Sequence, residues 1–139
     1  MKQFTTHSEQ ETKLIAEKFA RATKGRIFAL TGELGAGKTI FVQGFAKGLR
    51  IKDKIISPTF ILIRQHKIPV TTEILYHIDL YRLDNIRDLK SLGLEEILSD
   101  PNNIVLIEWA EKAQKFLPKN TVKINISKSG DQNRIITFF

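Results

Sequence analysis

Apolar residues run along this chain in two rhythms. In residues 8–23, "SEQETKLIAEKFARAT", Leu14, Ile15, Phe19 and Ala22 recur at helical spacing among charged neighbours. That spacing gathers them into one stripe of an α-helix. Ser8 stands where an N-cap belongs, and Glu11 three positions later completes the pattern of a capping box. The rhythm then changes. "RIFALTG" is short, rich in β-formers and closed by glycine, which predicts a buried strand. "KTIFVQGFAKGL" returns to helical spacing through Phe41, Phe45 and Leu49. "PTFILIRQHKI" and "TEILYHIDLYRL" predict a hairpin-like pair of strands, separated by "KIPVTT". "NIRDLKSLGLEEILSD" predicts one or two short helices broken near Gly93, and "NIVLIEWA" a strongly apolar strand that ends in an acid. Alternation in "TVKINIS" and β-formers in "RIITFF" predict two late strands joined through "KSGDQN". Strands mixed with helices, some strands apolar at every position, imply an α/β fold whose sheet is covered on both faces.

Composition narrows the class without naming a task. A chain of 139 residues, without repeats or a long linker, is expected to form one domain over residues 1–139. With 42% hydrophobic and 27% charged residues it has the balance of an ordinary globular protein. It has no cysteine, which excludes a disulfide framework, a thiolate zinc site and a cysteine nucleophile. "MKQFTTHSEQETK" lacks the apolar core of a signal peptide. No apolar run approaches the roughly 20 residues of a membrane helix, so a cytoplasmic location is expected. The net charge of +7 favours acidic partners such as nucleotides, nucleic acid or an acidic protein. The densest basic stretch, Lys47, Arg50, Lys52 and Lys54, has no interleaved aromatics and so is unlike a single-strand stacking platform. A solvated surface is the plainer reading of any one such cluster.

The stretch "TGELGAGKT", Thr31 to Thr39, carries chemistry. A glycine-rich turn between a strand and a helix aims backbone N–H groups at one centre, and the helix adds its positive N-terminal end. The spacing Gly32-x-x-x-x-Gly37-Lys38-Thr39 is the full P-loop pattern. Gly32 can take a positive φ, and Gly35 and Gly37 let the chain pass close to phosphate oxygens. Lys38 supplies a point charge for the β- and γ-phosphates, and the Thr39 hydroxyl suits Mg²⁺. A chance match in a turn is the alternative, but strand before and helix after is the context the motif requires. The expected fold is therefore a P-loop NTPase-like mixed sheet with helices on both faces.

Such a socket needs a metal-binding acid at the end of a neighbouring apolar strand. Glu108 follows Ile104–Ile107 in "IVLIEW" and fills that place; the alternative is a carboxylate exposed to solvent. Asp79 in "LYHIDLYRL" lies near a strand end, where it could orient an attacking water or stand behind the metal. It could equally be a structural cap or pair with Arg82. His77 reads as a satisfied, partly buried histidine, not a ligand. Thr59 in "SPTF" lies where a switch-like loop would sense the γ-phosphate, yet Pro58 equally marks a plain turn into a strand. The guanine-reading pattern Asn-Lys-x-Asp is absent, which favours ATP. Trp109, the only tryptophan, is either core packing or a surface against a ligand or partner.

"GELGAGKT", "SPTF", "HIDLYRL" and "IEWAE", in this order and spacing, resemble the TsaE family (formerly YjeE) of small bacterial P-loop ATPases. The resemblance runs from "HSEQET" to about Pro118. It implies a role in making threonylcarbamoyladenosine in tRNAs that read codons beginning with A. The implied partners are TsaD and TsaB, which transfer the threonylcarbamoyl group while ATP hydrolysis supports their repeated turnover; tRNA would be met indirectly. It implies ATP and Mg²⁺ as cofactors. ATP would contact Gly32, Leu34, Gly35, Ala36, Gly37, Lys38, Thr39 and Trp109, with Glu9 and its neighbours near the adenine. Mg²⁺ would fall to Thr39 and Glu108. Thr59, Asp79 and Trp109 would be functionally important, with Lys38, Thr59, Asp79 and Glu108 forming the catalytic set. One departure is Ala110, where proline commonly follows the tryptophan. The residues themselves leave two rivals: a small-molecule kinase, for which no lid-length insertion precedes "NIVLIEW", and a nucleotide-switched binding module.

Overall fold

A computed structural model describes residues 1–56, 63–85 and 87–139. Among these residues seven strands form one sheet: β1 (Lys2–Thr6), β2 (Ile27–Thr31), β3 (Ile63–Lys67), β4 (Ile74–Asp79), β5 (Asn103–Glu108), β6 (Val122–Lys128) and β7 (Arg134–Phe138). Their order across the sheet is β1-β7-β6-β2-β5-β4-β3. The central four, β6-β2-β5-β4, run parallel. The edges are antiparallel: β7 and β1 on one side, β3 on the other. The helices are α1 (Glu9–Ala22), α2 (Lys38–Gly48), α3 (Arg87–Ser91) and α4 (Leu94–Ser99), and a 3₁₀ segment covers Ala110–Phe116.

Strand alternation explains the apolar runs Ile27–Leu30 of β2 and Ile104–Ile107 of β5. In β2, Phe28 and Leu30 face one core while Ile27 and Ala29 face another. In β5, Ile104 and Leu106 join the first core, and Val105 and Ile107 the second. Successive side chains point to opposite faces, and both faces are covered, so both sets of positions in these runs are apolar. Ala16, Ala20, Phe41, Val42, Phe45 and Ala46 bring α1 and α2 to the first face. Leu89, Leu94, Ala110 and Ala113 bring α3, α4 and the 3₁₀ segment to the second. The expected mixed sheet with helices on both faces is observed.

The local expectations fare well, with instructive departures. Ser8 is the N-cap of α1, and its Oγ accepts from Glu11 N–H at 3.1 Å. Glu11 reaches back one residue further than a standard capping box, accepting from His7 N–H at 2.6 Å. The break between α3 and α4 falls at Gly93, which has φ +75°. The β3–β4 and β6–β7 pairs form as expected, although the first residues of the β3 stretch lie outside the described ones. Strand β1 was not foreseen. It is exposed at four of its five positions, three of them polar, and it exists because β7 offers it a ladder to pair with. The 3₁₀ segment after Trp109 was also not foreseen.

Candidate functional site

The loop between β2 and α2 opens at the carboxyl end of the parallel strands, the usual crevice of such sheets. Three glycines give it its shape, with φ of +144° at Gly32, +77° at Gly35 and +107° at Gly37. A Cβ on Gly32 would meet the Ile126 carbonyl of β6 at 2.2 Å, so close packing and backbone shape both demand glycine there. Gly37 serves as the N-cap of α2 with no side chain filling the role. The helix's first N–H groups are thereby left to a bound group. Leu34 is exposed at the loop tip and Ala36 is fully buried.

Lys38 lies inward, only 4% exposed. Its ammonium donates to the carbonyls of Gly32 and, at 2.9 Å, Glu33, and sits 4.0 Å from the centre of the Trp109 ring. Burial pushes its pKa below the usual lysine value, against the opposing pull of Glu108, Glu111, Asp79 and Glu33. Trp109 itself holds a left-handed backbone, φ +58°, and packs against Tyr81 with centroids 5.0 Å apart. A non-glycine residue in that region costs about 1–3 kcal/mol and marks a place fixed by its surroundings.

Strand register brings the acids together. Leu30 of β2, Glu108 of β5 and Asp79 of β4 lie in one row. Glu108 is 3% exposed, so it is not the solvent-facing strand end that was the alternative. Thr39 Oγ1 donates to it, 2.9 Å from Oε1 and 3.0 Å from Oε2. His77 Nε2 lies 2.5 Å from Oε2. Asp79 is buried and its Oδ1 accepts from Tyr81 N–H at 3.0 Å, which gives it a turn-forming role whatever else it does. Thr59 lies outside the described residues. No group of three or more His, Asp or Glu side chains is arranged for a metal among the described residues. A cation here would draw instead on the hydroxyl and carboxylate of Thr39 and Glu108 together with its phosphate ligands.

On the other side of the loop lies a pocket of about 460 Å³. The first turns of α1 (Ser8, Glu9, Thr12), the loop (Gly35, Gly37) and the β6–β7 turn (Asp131, Gln132) line it, with Arg134. Glu9 is thus brought to the same crevice as the loop. Arg134 could not be aimed from sequence. Its Nε donates to the Ala36 carbonyl at 2.8 Å, while Nη1 donates to the carbonyls of Asp131 and Asn133 at 3.1 and 2.9 Å. It fastens the glycine loop to the β6–β7 turn. His77 was underrated: it is fully buried, and its Nδ1 has no partner among the described residues. The only signal for either was the general rule that a buried polar group must be answered.

Strand, glycine loop, helix and a strand-end acid bonded to the helix's first threonine together define a P-loop protein. The comparisons narrow that class. The family described as "Threonylcarbamoyl adenosine biosynthesis protein TsaE" matches residues 6–136, and the chain belongs to the TsaE family. A Bacillus subtilis (strain 168) protein named tRNA threonylcarbamoyladenosine biosynthesis protein TsaE is 40% identical over 134 residues, covering 96% of this chain and 82% of its own. A Rickettsia bellii protein of the same name is 41% identical over 131 residues, covering 93% and 88%. The crystal structure of Bacillus subtilis YdiB superposes with a TM-score of 0.80 at 36% identity, over 99% of this chain and 83% of that one. Among the described residues no helix is long and apolar enough to cross a membrane.

Proposed function

We propose that this chain, acting as one domain in the cytoplasm, binds ATP with Mg²⁺ on the loop from Gly32 to Thr39 and hydrolyses it. The hydrolysis serves threonylcarbamoyladenosine formation in tRNA, in concert with TsaD and TsaB. The observation that carries the reading is the Thr39–Glu108 pair: a hydroxyl from the first turn of α2 held 2.9 Å from a buried carboxylate at the end of β5. A hard cation fits that oxygen pair. When bound, Mg²⁺ offsets charge on the β- and γ-phosphates. The residues supply the rest. Loop N–H groups and the start of α2 cradle the phosphates. Lys38, released from the carbonyls it now engages, adds the point charge. Asp79 is assigned to orient the attacking water, and the pocket beside Glu9 to take the nucleoside. Thr59 is assigned to the γ-phosphate, and Trp109 to the wall above Lys38.

The cation supply favours slow hydrolysis by the chain alone. Arg134 is held against the loop, and its donors are committed to backbone carbonyls. A partner that supplies positive charge would raise turnover. Phosphate release from ATP, measured with and without TsaD and TsaB, tests the proposal. Equal rates in both conditions, or no ATP binding, would sink it. Mass spectrometry of the same reactions for phosphorylated acceptors separates an ATPase from a kinase.

A further inference from the structure

Register sets His77 of β4 opposite Leu106, and Asp79 opposite Glu108, in the parallel pair β4–β5. Side chains two apart on a strand share a face, so His77 lies on the α2 side of the sheet beside Glu108. Its Nε2 is 2.5 Å from Glu108 Oε2, and the two side chains are 0% and 3% exposed. Glu108 also accepts from Thr39 Oγ1. An ionised carboxylate has no proton to give, so the proton of the His77 contact sits on Nε2. The other ring nitrogen, Nδ1, is buried without a partner among the described residues. Nε2–H therefore donates to Glu108 Oε2, the polar contact that the ring makes among the described residues.

That contact does something the threonine cannot. Thr39 Oγ1 is almost equidistant from the two carboxylate oxygens, at 2.9 and 3.0 Å. The last torsion of a glutamate is broad and nearly two-fold, so a hydroxyl placed between both oxygens leaves its rotation undecided. His77 contacts Oε2 alone, from a strand whose backbone is fixed by the sheet. We propose that His77 is a positioning residue which holds Glu108 Oε2 and thereby fixes the carboxylate in the orientation that serves a divalent cation with Thr39. This rests on the reading of Thr39 and Glu108 as the magnesium pair. Partners of this kind behind a ligand change metal affinity by about 10- to 100-fold.

Wild type, His77→Leu and His77→Gln form the test, each first checked by a thermal melt. Leucine fills space without a donor; glutamine keeps an N–H at a similar reach. Magnesium is titrated at fixed ATP, with Trp109 fluorescence and calorimetry as readouts, and ATP affinity is measured separately in EDTA. The leucine variant is expected to need about 10- to 100-fold more Mg²⁺ for half-saturation, with ATP affinity in EDTA matching wild type. The glutamine variant is expected to recover most of the loss. A leucine variant with wild-type magnesium dependence overturns the proposal. A wild type that binds ATP without any magnesium effect overturns the magnesium reading itself. A second readout needs neither ligand nor variant: long-range ¹H–¹⁵N correlation on the ligand-free protein reports the ring tautomer. Protonation on Nε2 is expected for His77, and protonation on Nδ1 alone overturns the proposal even if both variants fail to fold.

Discussion

Replacing Gly44 by alanine adds one methyl group where α2 passes close to the backbone of α1. An ideal Cβ at Gly44 would stand 2.3 Å from the Lys13 carbonyl oxygen and 2.7 Å from Lys13 Cα, both backbone atoms of α1. Ordinary contact is about 3.5 Å, so the helices must part by about 1 Å, and no side chain can rotate away to relieve the clash. Parting loosens the packing of Ala16, Ala20 and Phe19 on α1 against Phe41 and Phe45 on α2. A gap of that size forfeits about a quarter to a half of each contact's attraction. Overpacking of this kind costs about 1–3 kcal/mol, and a purely backbone obstacle belongs at the upper end. Alanine returns about 1 kcal/mol as the better helix former. The net expectation is destabilisation by about 1–2 kcal/mol. At roughly 4 °C per kcal/mol for a chain of this size, Tm falls by about 4–8 °C. Calorimetry gives Tm, and urea unfolding checks that the slope is unchanged, so that stability and not the unfolded state has moved. An unchanged or raised Tm would refute the reasoning, since it would mean the helices separate at no cost.

Three further outcomes are expected. Glu108→Gln keeps the volume but removes the charge; ATP binding in EDTA should persist while turnover falls by about 100-fold or more, measured as phosphate release, and normal turnover would remove Glu108 from the chemistry. Lys38→Met should change how stability depends on pH. Burial lowers the Lys38 pKa in the folded protein below the ordinary 10.5. Between the lowered value and 10.5 the unfolded chain binds more protons than the folded one, so this lysine's contribution to stability rises with pH across that window. The difference in unfolding free energy, wild type minus variant, should therefore increase toward pH 10.5 in denaturant titrations; a decrease would contradict the burial argument. Arg134→Met removes the donors that tie Ala36 to the β6–β7 turn. At about 1.5–3 kcal/mol for a hydrogen bond to a charged group, ATP affinity should weaken by about 10- to 100-fold while the melt shifts by only a few degrees, and an unchanged affinity would show that the loop holds its shape without the arginine.

Local rules made much of this protein legible in its sequence. The helix α1 follows from a three-and-four spacing with a serine cap, and the P-loop from a glycine pattern whose steric demands are carried by single residues. The apolar runs of β2 and β5 announced a sheet covered on both sides, because a strand buried on two faces is apolar at successive positions and not at alternate ones. Glu108 stands out in the sequence because a metal-binding acid is expected after such a strand. What the chain did not disclose depends on pairing between distant segments. Strand β1 carries a mostly polar, exposed pattern and becomes a strand only because β7 presents unpaired backbone groups to it. His77 and Glu108 are 31 positions apart, and only the parallel register of β4 and β5 makes them neighbours. Arg134 lies 98 positions from Ala36, and only the return of β7 beside the loop aims its guanidinium there. Short-range periodicity records which face a residue must bury. Which polar groups answer one another inside the core is decided by the order and register of the strands, which no local pattern encodes.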